Sequence, residues 1–186
     1  MNDTILIRDN YLPEAAFIDL QEYCNELPFK IIEVGNKKFS AIDTPKYLYE
    51  FLQIEDHELI LTFIRSAHKD FDTDLRIHAD NIINGRKPSL AAVLYVNSLE
   101  DVSSNGTAFW THHKHGNSLE SNVSNEEFDR LLTEDANDES KWTKTDYVSN
   151  FPNRLLVYPS NYFHSKYPSK IEDGVRKVLV CFYCKK

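Results

Sequence analysis

Apolar residues recur at helical spacing early in the chain and in short alternating runs later, with the change near residue 74. Pro13 suits a first helical position, and Phe17, Leu20, Cys24 and Leu27 follow at three- and four-residue intervals until Pro28. Thr44-Pro45 reads as an N-cap followed by Pro at N1, with Leu48, Phe51 and Leu52 sharing a face. A third stretch, Asp56 to Ala67, groups Leu59, Phe63 and Ile64, so the first third is expected to be helical.

Beyond residue 74 the runs shorten and turn residues separate them. Strands are expected near 75–80, 90–96, 107–111, 154–158, 162–166 and 175–183. Leu90-Ala-Ala-Val-Leu-Tyr-Val96 is apolar on both faces, as in a strand buried between layers. The pattern predicts one α+β, mainly β domain over 1–186: helical support at 1–70 packed on one sheet of an antiparallel sandwich or barrel at 74–183. Residues 117–146 interrupt the strands. Ser124-Asn-Glu-Glu127 reads as a capping box, and Phe128, Leu131 and Leu132 give a short amphipathic helix. An insertion of this length is either a functional lid or a mobile loop.

Composition sharpens this picture at three points. The net charge is −8, and residues 117–146 carry −6 of it, which argues against a nucleic-acid surface built on clustered Lys and Arg. A segment so acidic is expected to stay loosely packed and to favour a cationic substrate such as a Lys- or Arg-containing peptide. No run of 18 apolar residues and no leader pattern is seen, so neither a membrane span nor a signal peptide is expected. Three cysteines, Cys24, Cys181 and Cys184, do not make a disulfide framework and fit a reducing, cytoplasmic setting. Cys181 and Cys184 spell C-x-x-C inside a strand-like run, where two buried small residues are the simpler reading.

The chemistry concentrates in three places. On a strand, Leu75, Ile77 and Ala79 share one face while Arg76, His78 and Asp80 share the other. That second face offers an imidazole and a carboxylate about 7 Å apart along the backbone, close enough to reach one metal ion. His164 follows a Pro-Ser-Asn turn and completes two His plus one carboxylate, a set that leaves three octahedral positions open and suits iron(II) oxygen chemistry. Arg176 alternates with Val178, Val180 and Phe182 on a mainly apolar face; if that face is inward, the buried cation needs an anionic partner, either a protein carboxylate or a ligand's, and if it is outward the guanidinium is solvent-exposed. Lys177 faces the opposite way.

The order His78-x-Asp80, His164, Arg176 resembles the 2-oxoglutarate/Fe(II)-dependent dioxygenases, and within them the prolyl 4-hydroxylase-like branch. The likeness covers about residues 74–183. Val93-Leu-Tyr95-Val-Asn97 resembles that branch's tyrosine-containing third strand. Asn105-Gly-Thr-Ala-Phe109 resembles its Gly-Gly-x-x-x-Phe strand with Asn for the first Gly, and Arg176 to Tyr183 resembles its final core strand.

The resemblance implies a double-stranded β-helix, a cupin-like jelly roll, that binds Fe(II) through His78, Asp80 and His164. It further implies 2-oxoglutarate held at its distal carboxylate by Arg176 with help from the Tyr95 hydroxyl. The implied activity is oxidative hydroxylation using O2, with succinate and CO2 as co-products, acting on a peptide side chain or a small amino-acid-like molecule. Two rivals stay open: a cupin-like metalloenzyme that uses no 2-oxoglutarate, and a silent jelly-roll binding module. Thr111-His112-His113-Lys114-His115 reads either as a further metal cluster or pocket-mouth group, or as a solvated loop. Trp142 and Tyr147 either close over a substrate or anchor the insertion.

Overall fold

The computed structural model describes residues 4–34, 37–72, 76–100, 105–120 and 122–186. Among the described residues, ten strands form two antiparallel sheets. The larger has seven: β1 (Leu6–Arg8), β2 (Lys30–Val34), β3 (Lys37–Asp43), β4 (His57–His68), β5 (Leu90–Tyr95), β8 (Leu155–Pro159) and β10 (Val175–Lys185), in the order β1-β8-β5-β10-β4-β3-β2. The smaller has β7 (Trp142–Ser149), β6 (Gly106–His112) and β9 (His164–Tyr167), with β6 central.

Three apolar clusters define the layers. Helix α1 (Glu14–Glu26) lays Phe17, Leu20 and Cys24 on the outer face of the large sheet, against Ile64, Ala92, Leu94, Leu179, Cys181 and Tyr183. Between the sheets lie Ala91, Val93, Tyr95, Phe109, Leu156, Tyr158, Val178 and Phe182. β5 therefore sends alternate residues into two cores, which is why its run is apolar on both faces. Outside the small sheet, Ile77, Ala79, Ala108 and Trp110 pack with Leu119, Leu131, Trp142 and Phe163 of the insertion and its flanks.

The expected strands at 90–96, 107–111, 154–158, 162–166 and 175–183 form. The helical reading of the first third holds for α1, and at 46–50 as a 3-10 turn, but not elsewhere. Strands β2 and β3 pair antiparallel, and 57–68 are the twelve-residue strand β4 instead of a helix. β4 lies between α1 and the inter-sheet space, so Leu59 and Ile64 face one core while Leu61 and Phe63 face the other. An apolar run facing both ways imitates helical spacing. Leu75 lies outside the described residues. Residues 77–80 alternate their side chains between two faces and join the small sheet through a single bridge, His78 to His164.

Gly106 is required by close approach. A Cβ there would sit 2.1 Å from the Val148 carbonyl oxygen of the neighbouring strand. Cys181 and Cys184 are buried free thiols with separate partners, Thr62 and the Lys87 carbonyl.

Candidate metal centre

The bridge between residues 76–80 and β9 sets the site. His78 N–H donates to the His164 carbonyl at 3.0 Å and His164 N–H donates back at 2.9 Å. In an antiparallel pair, residues so matched project their side chains to the same face, and the two rings lie 4.5 Å apart. Asp80, two residues on and fixed by Asp80 N–H donating to Ser160 O at 2.8 Å, shares that face. Ile77 and Ala79 point the other way into the outer cluster, as the alternation predicts.

Hydrogen bonding fixes both ring orientations. Nδ1 of His78 lies 2.9 Å from the Arg76 carbonyl, and Nδ1 of His164 lies 2.9 Å from the Tyr162 carbonyl. A carbonyl only accepts, so each Nδ1 carries a proton and each Nε2 is the atom turned toward Asp80 and available to a metal. His78 Nε2 to Oδ1 is 3.7 Å and His164 Nε2 to Oδ2 is 3.6 Å. Both separations exceed hydrogen-bond range. Among the described residues this is the group of metal-ligating atoms that converge, all within 4.8 Å of one another.

The triad opens on a cavity of about 100 Å3 between the sheets. Arg176, Val178, Val180 and Phe182 of β10 line it, so the Arg176 face is the inward one. Lys177 points outward and donates to Asn25 Oδ1 at 2.6 Å. Arg176 is buried, its Nε has no hydrogen-bond partner, and its guanidinium carbon sits 5.8 Å from the Tyr95 ring centroid. Burial pulls its pKa below the usual value, with the nearby Tyr95 hydroxyl acting in the opposite sense.

Tyr95 does not line the cavity. Its hydroxyl is engaged by Thr107 Oγ1 at 2.8 Å and the Val148 carbonyl at 3.1 Å, while its ring backs Arg176. The tyrosine at the wall is Tyr158 of β8, 4.8 Å from the His164 ring. Burial, reinforced by the Asp80 carboxylate, pushes its hydroxyl well above the ordinary value, so it stays protonated and able to donate. Sequence reasoning missed Tyr158, although the alternation Leu156, Tyr158 along β8 carried the signal. It also missed Arg65, Asp72 and Arg76, which line the cavity as an ion-paired group.

The remaining singled-out residues lie elsewhere. His112 is buried on the outer side of the small sheet, with Nε2 3.1 Å from Asp135 Oδ2, and His115 Nε2 is 2.6 Å from Glu127 Oε1. His113 is exposed, 3.3 Å from Thr143. Trp142 is a buried anchor, its indole N–H donating to Asp135 O at 2.9 Å, whereas Tyr147 is half exposed on β7. Helix α2 (Asn125–Arg130) forms with Ser124 accepting from Glu127 N–H at 3.2 Å. Instead of closing the box, the Glu127 carboxylate binds Lys114, His115 and Arg130. None of the described residues of 117–146 lines the cavity. The segment grips the site from behind: Ile77 N–H donates to Ala136 O and Arg76 N–H to Asn137 Oδ1, both at 2.8 Å.

A model of a family of unknown function, DUF6445, matches residues 75–173. Among curated proteins none matches the sequence. Among solved structures, HygX from Streptomyces hygroscopicus, with nickel and 2-oxoglutarate bound, aligns with a TM-score of 0.61 at 13% identity, over 98% of this chain and 83% of that one. A member of the 2OG-Fe(II) oxygenase family from Burkholderia pseudomallei gives 0.58 at 9% identity, over 98% and 86%. A Pseudomonas putida prolyl-4-hydroxylase gives 0.51 at 14% identity, over 100% and 94%. The fold shared with these proteins is the double-stranded β-helix.

Proposed function

The chain belongs to the family of unknown function DUF6445, and we propose that it is an Fe(II)- and 2-oxoglutarate-dependent oxygenase whose metal ligands are His78, Asp80 and His164. One observation carries the reading. The ligating atoms of two histidines and one carboxylate converge within 4.8 Å of one another on one side of the cavity, a two-histidine, one-carboxylate donor set suited to iron(II). The donor set leaves an open face for cosubstrate and oxygen. Iron(II) held by these three residues would, with 2-oxoglutarate and O2, supply the oxidising power for substrate hydroxylation, with succinate and CO2 as co-products.

This chain's own residues divide the remaining work. Arg176 supplies a buried, incompletely satisfied fork on the cavity wall, suited to a bidentate grip on the distal carboxylate of 2-oxoglutarate. A metalloenzyme without that cosubstrate would have no use for such a cation. Tyr95 is a positioning residue: its ring supports Arg176, and its hydroxyl orients Thr107 at the wall. Tyr158 takes the donor role first expected of Tyr95. Asn97 bonds the Val175 carbonyl at 2.5 Å and accepts from Lys177 N–H at 2.8 Å, fixing the backbone on both sides of Arg176. Val93, Val178, Val180 and Phe182 exclude water around these groups.

The proposed reaction is hydroxylation of an amino-acid-like molecule or peptide side chain. The neighbours support the general chemistry more than this outcome. HygX has also been crystallised with hygromycin B, and the similar structures include a carbocyclase and an epimerase from nogalamycin biosynthesis. Anaerobic calorimetry tests the assignment. Fe(II) or Mn(II) should bind one to one, and 2-oxoglutarate should bind to the metal-loaded protein. If His78→Ala and His164→Ala both bind metal as tightly as the parent chain, the ligand assignment is wrong.

A further inference from the structure

The two histidines of the proposed ligand set are held to the fold in different ways. His164 stands in β9, which pairs residue by residue with β6. His78 belongs to a segment that meets β9 at one bridge, so its backbone depends on other support. On its N-terminal side that support is the insertion: Ile77 N–H donates to Ala136 O and Arg76 N–H to Asn137 Oδ1, both at 2.8 Å. The turn that gives these acceptors is itself fixed. Ala136 is fully buried, and the buried Asp135 carboxylate beside it lies 3.1 Å from His112 Nε2 and 2.9 Å from Arg130 Nη1.

Arg76 stands between the insertion and the ligand. Its carbonyl accepts from His78 Nδ1 at 2.9 Å, and it does so from a left-handed backbone with φ 46°. Glycine, asparagine and aspartate adopt that region most often; a long side chain such as arginine holds it where contacts enforce it. The Asn137 carboxamide grips the N–H on one side of the Arg76 α-carbon, and the His78 ring grips the carbonyl on the other. Rotation of Arg76 to a right-handed or extended backbone would swing its carbonyl off His78 Nδ1. The proton there would lose its acceptor, and in water a neutral histidine favours the proton on Nε2, the atom a metal needs free.

We infer that Asn137 is a positioning residue for the metal ligand His78: by holding Arg76 N–H it keeps the Arg76 carbonyl on Nδ1 and leaves Nε2 turned to the metal position. The inference rests on the proposed ligand set. It also gives the insertion, expected as a cover over the substrate, a task at the metal instead. Direct outer partners of a metal-bound histidine contribute about 10–100-fold to metal affinity. Asn137 is exposed and acts one residue further out, so its removal should cost less, roughly three- to tenfold.

The test uses the full chain and two readouts. Calorimetry follows Mn(II) binding, and nitrogen NMR of isotope-labelled histidine rings in the metal-free protein, in mildly alkaline buffer, reports which ring nitrogen carries the proton. Asn137→Ala should bind Mn(II) roughly three- to tenfold more weakly, and its His78 should shift toward the Nε2-protonated form. His164, held by β9, should keep the parent's signature in the same spectrum, which a general loosening of the fold would not allow. Asn137→Asp retains an acceptor oxygen at the same reach and should restore both readouts. Asp138→Ala removes the neighbouring side chain's bonds to Ser140 in the same turn and should change neither. Parent-like affinity and His78 signature in Asn137→Ala overturn the inference and leave the ligand set standing. So does a shift of both histidines together, or an equal loss in Asp138→Ala. A parent chain that binds no Mn(II) overturns the ligand set and the inference with it.

Discussion

The inter-sheet cavity and the acidic insertion are both rich in polar and charged side chains, yet they are organised oppositely. In the insertion, charges are matched internally: Glu127 with Lys114, His115 and Arg130, and Asp135 with His112 and Arg130. In the cavity, the ligating atoms of His78, Asp80 and His164 converge on one point, and the buried Arg176 has an Nε with no hydrogen-bond partner among the described residues. Matched polar groups stabilise a fold, whereas unmatched buried ones cost stability and are retained where a ligand completes them. On the proposed reading, the cavity binds and the insertion supports it.

Changes in the two regions should therefore separate binding from stability. The largest effect expected is loss of metal. His164→Ala should weaken Mn(II) or Fe(II) binding by at least a hundredfold by calorimetry, with little loss of thermal stability. Trp142→Ala should do the reverse. Truncating this buried anchor should cost about 3–5 kcal/mol of unfolding free energy, read by chemical denaturation, while the folded fraction binds metal normally. A Trp142→Ala protein of unchanged stability would break the comparison.

Arg176 sharpens it further. Arg176→Met should lower 2-oxoglutarate affinity by roughly 2–5 kcal/mol through loss of a dehydrated charged pair, with metal binding retained. The ligand-free protein should nonetheless melt no lower, and by this account higher, because an incompletely satisfied buried cation is removed. Tyr158→Phe should cost less, about 1–2 kcal/mol of 2-oxoglutarate affinity for one lost hydrogen bond. A larger loss in Tyr95→Phe would return the donor role to Tyr95.

The smallest expected effect is one of pH. Burial holds His112 below its ordinary value of 6.5, with Asp135 partly offsetting it. A depressed folded-state value means that the unfolded chain takes up the proton first. The stability from neutral His112 is thus present above pH 6.5 and is lost as pH falls below it. Melting temperature should fall between pH 7.5 and 5.5 by more in the parent chain than in His112→Gln.

The chemistry of the site was more legible in the sequence than the elements that carry it. The alternation through 76–80 and 176–182 grouped His78 with Asp80, and Arg176 with Val178, Val180 and Phe182, because a two-residue period is a local property of extended backbone. It held at 77–80 even though that segment pairs at a single point. β4 was not legible because its apolar residues serve two cores. β7, polar along most of its exposed length, gave no hydrophobic signal at all. Tyr158 and the Arg65–Asp72–Arg76 group depend on which strands meet across the cavity, information carried by long-range pairing. The insertion's composition suggested a loose cover, but its acids pair with His112 at the end of β6, Lys114 and His115 in the turn that follows, and Arg130 of α2, and composition alone does not display such matching.

Succinate release tests the central claim most directly. The purified chain is incubated in air with 2-oxoglutarate, ascorbate and Fe(II), and succinate is quantified against time without any added substrate. The account predicts slow, iron-dependent succinate formation that disappears in His164→Ala and falls sharply in Arg176→Met. Succinate formed equally by His164→Ala, or none from a parent chain that binds neither Fe(II) nor 2-oxoglutarate, would contradict it.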